Sequence, residues 1–159
     1  MQKNLTWSDA RLLVILLISG ALVACGGGAP KKEELVINIQ AAEDVNPDSQ
    51  GRPSPIVVHI LELKSVETFN SLNYVSLTDN SGAALGQDRL NGSQTVIAPG
   101  GNFMTELELD AGTSAIGIVA GYRDIDNASW RQAVPIAAGA TKRVTVQLGQ
   151  FQMTTSTED

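Results

Sequence analysis

From residue 35 onward, apolar and polar residues alternate with a period of two along most of the chain. Leu35, Ile37 and Ile39 alternate with Val36, Asn38 and Gln40, which predicts a strand with one buried and one mostly polar face. The same pattern recurs where Phe103, Thr105, Leu107 and Leu109 interleave with Met104, Glu106, Glu108 and Asp110. It recurs again at Ile116, Ile118, Ala120 and Tyr122, and at Val144, Val146 and Leu148. Ile56 to Leu63 is almost unbroken in apolar residues apart from His59 and Glu62, as expected of a strand covered on both faces. Trp130, Gln132, Val134 and Ile136 alternate less cleanly. A weaker strand, Thr95 to Ala98, precedes the turn cluster Pro99-Gly100-Gly101. Seven strands at short spacing, separated by Gly and Pro, predict an antiparallel β-sandwich.

Two intervals break the alternation. In Ser65–Leu90, the apolar residues Val66, Phe69, Leu72, Tyr74 and Leu77 are spaced nearer three and four than two. This predicts one or two short helices over the second strand, then a loop through Asn80-Ser81-Gly82. The other interval, Ala42–Pro55, contains three prolines, which fix φ and remove backbone donors. At about fourteen residues it is longer than hairpin connections usually are. It is either a functional loop or an ordered Ω-type connection. If successive strands alternate in direction, 42–55, 98–102 and 123–129 gather at one end, away from the start of the first strand. Thr154 to Asp159 is polar and is expected to fray. There is no internal repeat.

Ahead of the sandwich, Leu12 to Cys25 reads LLVILLISGALVAC, behind Lys3 and Arg11. The order of charged, apolar and small residues is that of a secretory signal, and the run is shorter than the roughly 20 residues of a spanning helix. Leu22-Val23-Ala24-Cys25 resembles the bacterial lipobox, which implies cleavage before Cys25 and acylation of its sulfur and new amino group. An ordinary signal with a chance cysteine and an uncleaved anchor are the alternatives. Cys25 is the only cysteine, so it has no disulfide partner within the chain. Gly26-Gly27-Gly28-Ala29-Pro30-Lys31-Lys32-Glu33-Glu34 has no apolar periodicity and reads as a flexible linker. The expected organisation is a signal peptide at 1–24, a lipidated linker at 25–34, a sandwich domain at 35–150 and a polar tail at 151–159.

Charge and composition narrow the function. The whole chain carries −6; the signal holds Lys3, Arg11 and Asp9, a net +1, so the remainder carries −7. An acidic body repels phosphate backbones and anionic headgroups, which disfavours nucleic acid as a partner and leaves lipid as the means of membrane attachment. Catalytic and metal chemistry find little footing. His59 is the only histidine and stands mid-strand, with nothing to place a serine and a carboxylate beside it. Zinc needs clustered His or Cys ligands. The glycine triplet lacks the P-loop lysine. Asp124-Ile125-Asp126-Asn127 lacks the ligand series of an EF-hand and reads as a polar turn. The expectation is a non-enzyme with no metal site and no cofactor beyond covalent lipid on Cys25.

NPDSQGRPSPIVVHILEL, from Asn46 to Leu63, resembles the hallmark of the type VI secretion outer-membrane lipoproteins, the TssJ (SciN, VasD) family. Further matches follow in order: Phe69 with Leu72-Asn73-Tyr74, Leu85-Gly86-Gln87-Asp88, Ala98-Pro99-Gly100, Ile116 to Asp126, and Trp130-Arg131. One departure is Leu61, where an aromatic is frequent in the family. The resemblance implies a mainly β, transthyretin-like antiparallel β-sandwich with a short helical insertion, behind a lipoprotein signal. It implies a periplasmic adaptor, anchored to the outer membrane by acyl chains, that tethers the secretion membrane complex by binding the periplasmic domain of an inner-membrane IcmF-like protein (TssM). The loop between the first two strands carries much of that contact in the family. Here it contributes Glu43, Asp44, Val45, Asn46, Pro47, Asp48, Gly51, Arg52 and Pro53. Arg52 has two readings, neutralising nearby carboxylates or pairing with the partner. Resemblance to bacterial lipoproteins generally, in which an aspartate after the cysteine tends to retain the protein in the inner membrane, implies that Gly26 is an outer-membrane sorting residue. The competing reading is a lipid-anchored sandwich that binds a glycan or small molecule. With Trp7 in the signal, Trp130 is the sole remaining tryptophan to offer as a stacking platform.

Overall fold

The computed structural model describes residues 33–79, 83–137, 139 and 143–159. The signal, Cys25, Gly26, the linker to residue 32 and Asn80-Ser81-Gly82 lie outside the described residues. Eight strands are described: β1 Glu34–Ala41, β2 Ile56–Leu63, β3 Arg89–Ile97, β4 Asn102–Glu108, β5 Ala115–Ala120, β6 Arg131–Pro135, β7 Arg143–Leu148 and β8 Met153–Glu158. They form two four-stranded sheets, in the orders β4-β1-β7-β8 and β3-β2-β5-β6. All seven expected strands are present. β3 reaches back to Arg89, well before the expected start at Thr95.

The expected frayed tail is instead β8, paired antiparallel with β7 from Leu148↔Met153 to Arg143↔Glu158. Only Met153 of its side chains is fully buried. An edge strand with one covered anchor gives no apolar alternation to read. Its signal is the β-branched Thr154, Thr155 and Thr157, which suit a pleated surface.

Strand directions follow from parity. Odd-numbered strands run toward one end of the sandwich and even-numbered strands return. β1 and β7 are both odd and adjacent, so they pair in parallel, while every other ladder between strands is antiparallel. The connections β1–β2, β3–β4, β5–β6 and β7–β8 therefore share the end opposite the start of β1 at Glu34. Three of these are the connections expected to gather there; the fourth comes with β8.

Two apolar clusters hold the fold. The main one lies between the sheets, with Leu35, Ile37 and Ile39 facing Ile56, Val58, Ile60, Ile116 and Ile118. The second covers the outer face of the β3-β2-β5-β6 sheet: Leu61, Leu63 and Val119 lie under Phe69, Leu77 and Leu85. This is why β2 and β5 lack a polar face. The lids are α1 (Glu67–Ser71), α2 (Tyr74–Thr78) and a 3₁₀ turn (Gly86–Asp88), as the spacing over 65–90 predicts. Gly117 makes room for them. A Cβ there would stand 2.8 Å from Phe69 Cε2 and 2.9 Å from Leu63 Cδ1. Leu61 fills its place in this cluster with only 2% of its surface exposed.

Polar exceptions within the strands have structural work. Glu62 is buried, and its Oε2 accepts from Asp110 N at 3.1 Å and Thr113 Oγ1 at 3.2 Å, holding the β4–β5 turn. His59 lies half-buried, opposite Gln94 and Val119 in the ladders. Burial, and then the charge of Arg89, lower its pKa below the ordinary histidine value.

Candidate partner-binding site

The β1–β2 loop is folded around one side chain. Asn46 has φ +50°, in the left-handed region that asparagine tolerates better than most residues. Its Nδ2 donates to Pro55 O at 2.9 Å, and its Oδ1 accepts from Arg123 N at 2.7 Å. Its own amide donates to Gln150 O at 3.2 Å. One buried residue thus joins the base of its own loop to the β5–β6 and β7–β8 connections. Val45, fully buried in the main core, accepts from Ser54 N at 3.1 Å and closes the loop's neck.

Beyond the neck, Asp48 shapes the tip. Its Oδ1 accepts from Gln50 N at 2.8 Å and Arg52 N at 3.0 Å, while Oδ2 meets Arg52 Nε at 2.8 Å and Nη2 at 2.7 Å. Gly51 takes φ +77° and donates to Asp48 O at 2.9 Å. The Arg52 guanidinium first, then the backbone amides of Arg52 and Gln50, hold the Asp48 carboxyl below the usual aspartate value. Arg52 therefore serves the loop-holding reading through Asp48, with its side chain still 71% exposed.

The neighbouring connections lock on to this frame. Gly100, at φ +70°, donates to Ala42 O at 3.1 Å, and Ala41 N donates to Gly101 O at 2.9 Å. Asn127 Nδ2 donates to the Asp124 carboxylate at 2.9 and 3.1 Å, which makes 124–127 the expected polar turn. Tyr122 is buried and its hydroxyl donates to Gly149 O at 3.2 Å. Burial pushes its pKa up to about 12. Among the described residues, no group of three or more His, Cys, Asp or Glu is placed to hold a metal ion.

Of the residues expected at the partner surface, Glu43, Asp44, Gly51, Arg52 and Pro53 are exposed and Asp48 is half-buried. Val45, Asn46 and Pro47 are buried. These three frame the loop and offer little surface to a partner, because the neck needs apolar and hydrogen-bonding anchors inside. The same end also presents Arg123, Asp124, Asp126, Gln150 and Phe151. The polar 123–129 loop marked the first three in the sequence. Phe151 sits at the head of the segment read as a tail, where only its size could have drawn notice. Trp130 is not a free platform. Tyr74 meets its ring edge-on at 5.6 Å, and Arg131 lies 5.0 Å from its centroid while donating to Leu72 O at 2.7 Å. The motif residues Leu72, Tyr74, Trp130 and Arg131 therefore pin the helices to the sheet.

The fold is thus a two-sheet β-sandwich whose four connections at one end are tied together through Asn46 and Gly100. The chain belongs to the type VI secretion lipoprotein family (VasD, EvfM, TssJ), whose model matches residues 33–151. Among solved structures it resembles the type VI secretion lipoprotein TssJ1 from Pseudomonas aeruginosa, at 31% identity and a TM-score of 0.76, covering 80% of this chain and 98% of that one. It also resembles Serratia marcescens Lip, a membrane-bound component of the type VI secretion system (20% identity, TM-score 0.72, 80% and 99% covered). A third match is to a chain in a structure described as the TssM C-terminal domain (869–1107) from EAEC (22% identity, TM-score 0.65, 78% and 98% covered). No curated protein sequence matches the chain.

Proposed function

We propose that this protein is a lipid-anchored periplasmic adaptor that ties the type VI secretion membrane complex to the outer membrane. Acyl chains on Cys25 hold it there, Gly26 permits outer-membrane sorting, and the loop end binds the periplasmic C-terminal domain of a TssM-type protein. The reading is non-enzymatic. The observation that carries it is the placement of the prefolded loop end opposite the start of β1, in a chain of this family. The linker from Cys25 to Leu35 spans at most roughly 33–36 Å, so the loop end is the part best placed to meet a partner deeper in the periplasm. The third structural match, described by its TssM C-terminal domain, is consistent with a partner of that type.

The test is co-purification of the full acylated chain with its cognate TssM from detergent-solubilised envelopes. Replacement of the tip 48–52 by a glycine-serine segment, which leaves the framing Val45 and Asn46 in place, should abolish capture, and Arg52→Glu, which sets a carboxylate against Asp48, should weaken it. Capture of TssM undiminished by the replaced loop, in a domain that still folds, would place the contact elsewhere.

A further inference from the structure

The span between β7 and β8 is braced by both of the long connections at the loop end. Gln150 O accepts from Asn46 N at 3.2 Å, Phe151 O from Ser129 N at 2.8 Å, and Gly149 O from the Tyr122 hydroxyl at 3.2 Å. Gly149 N closes the turn on Gln152 O at 2.8 Å. Its carbonyls are thus engaged by both long connections, and the Gln150 and Gln152 side chains face solvent. Phe151 keeps 38% of its surface exposed. The other large apolar side chains exposed among the described residues, Val75, Val96 and Met104, stand on a helix or on strands. Phe151 alone of these is carried on a turn tied into both loops.

Beside the turn runs a groove of ≈ 400 Å³ between the ends of β1 and β7 and the start of β8, lined by Gln40, Ala41, Gln147, Leu148 and Gln152 among others. The surrounding connections carry Glu43, Asp44, Asp48, Asp124 and Asp126 against Arg52 and Arg123, and Arg52 is already engaged by Asp48. The setting is an aromatic on a rigid turn, next to a groove, in a net acidic field. Aromatic side chains on rigid backbone dominate binding energy because they bury a large area at low entropic cost. The acidic field selects a partner of opposite sign.

We infer that Phe151 is the apolar anchor of the docking surface, and that the partner domain offers an apolar pocket ringed by lysine and arginine. This rests on the adaptor reading above, and the experiment separates the two. The full acylated chain in detergent is titrated with the cognate TssM C-terminal domain, for the native protein and for Phe151→Ser, at low and high salt. Phe151→Ser should weaken binding about thirtyfold or more, Phe151→Leu by less. Glu43→Lys with Asp124→Lys should slow association at low salt and flatten its salt dependence. If the native chain binds and Phe151→Ser binds within twofold of it, the anchor is refuted. Binding that strengthens with the double lysine change would refute the basic rim. A native chain that fails to bind the domain at all overturns the adaptor reading itself. Should Phe151→Ser not fold, a photo-crosslinking residue at 151 decides the matter: crosslinks to the domain support the anchor, and their absence while the domain is bound rejects it.

Discussion

Asn46→Ala is the substitution that should cost the loop end most. It removes the bonds to Pro55 O and Arg123 N, at 2.9 and 2.7 Å, from a residue only 3% exposed. Pro55 and Arg123 are themselves exposed, so the freed groups turn partly to water and each lost bond costs about 1–2 kcal/mol. Alanine must also hold φ +50°, at about 1 kcal/mol more than asparagine. The expected loss is about 3–5 kcal/mol. For a domain of this size each kcal/mol moves the melting temperature by roughly 4 °C, so the midpoint should fall by about 12–20 °C. Asn46→Gly loses the same two bonds but not the conformational preference, and should recover about 1 kcal/mol of the deficit. Thermal and urea unfolding of the three proteins, followed by circular dichroism, measure both differences. A midpoint for Asn46→Ala within 3 °C of the native protein would refute the assignment of Asn46 as the joint of the loops. Equal stability of the alanine and glycine variants would show that the left-handed backbone carries no penalty there.

Gly117→Ala should destabilise by about 1–3 kcal/mol, since its Cβ would meet Phe69 and Leu63 at under 3 Å in a packed cluster; an unchanged urea midpoint would show that the helices yield freely. Tyr122 should make the fold alkali-sensitive. Its folded pKa, about 12, lies above the ordinary tyrosine value of 10.0, so its contribution is full below pH 10 and disappears as pH rises toward 12. Tyr122→Phe should therefore show a flatter stability profile over pH 10–12, and identical slopes would contradict this. Cys25→Ser should give a chain without acyl mass that leaves the membrane fraction, as read by mass spectrometry and fractionation. Gly26→Asp should move the protein to inner-membrane density on a gradient; equal outer-membrane recovery would deny Gly26 the sorting role.

Most of the architecture was legible in residue order, because a strand with one buried face alternates and a strand buried on both does not. Leu35-Ile37-Ile39 and the unbroken Ile56–Leu63 state these two cases directly, and the switch of period near Phe69 marks the helical lid. The alternating directions of the strands then place the long connections at one end. Local pattern does not specify what occupies an edge or how a loop is tied. β8 shows one buried side chain, so its existence depends on the ladder offered by β7. The division within 43–53 between framing and facing residues likewise depends on distant groups. Val45 is buried because the core lies beneath it. Asn46 is a joint because Arg123 and Gln150, far along the chain, present an amide and a carbonyl to it. Alternation is a property of neighbours in sequence, and it could be read. The loop end is assembled from four separated connections, and only the tertiary structure brings Phe151 among them.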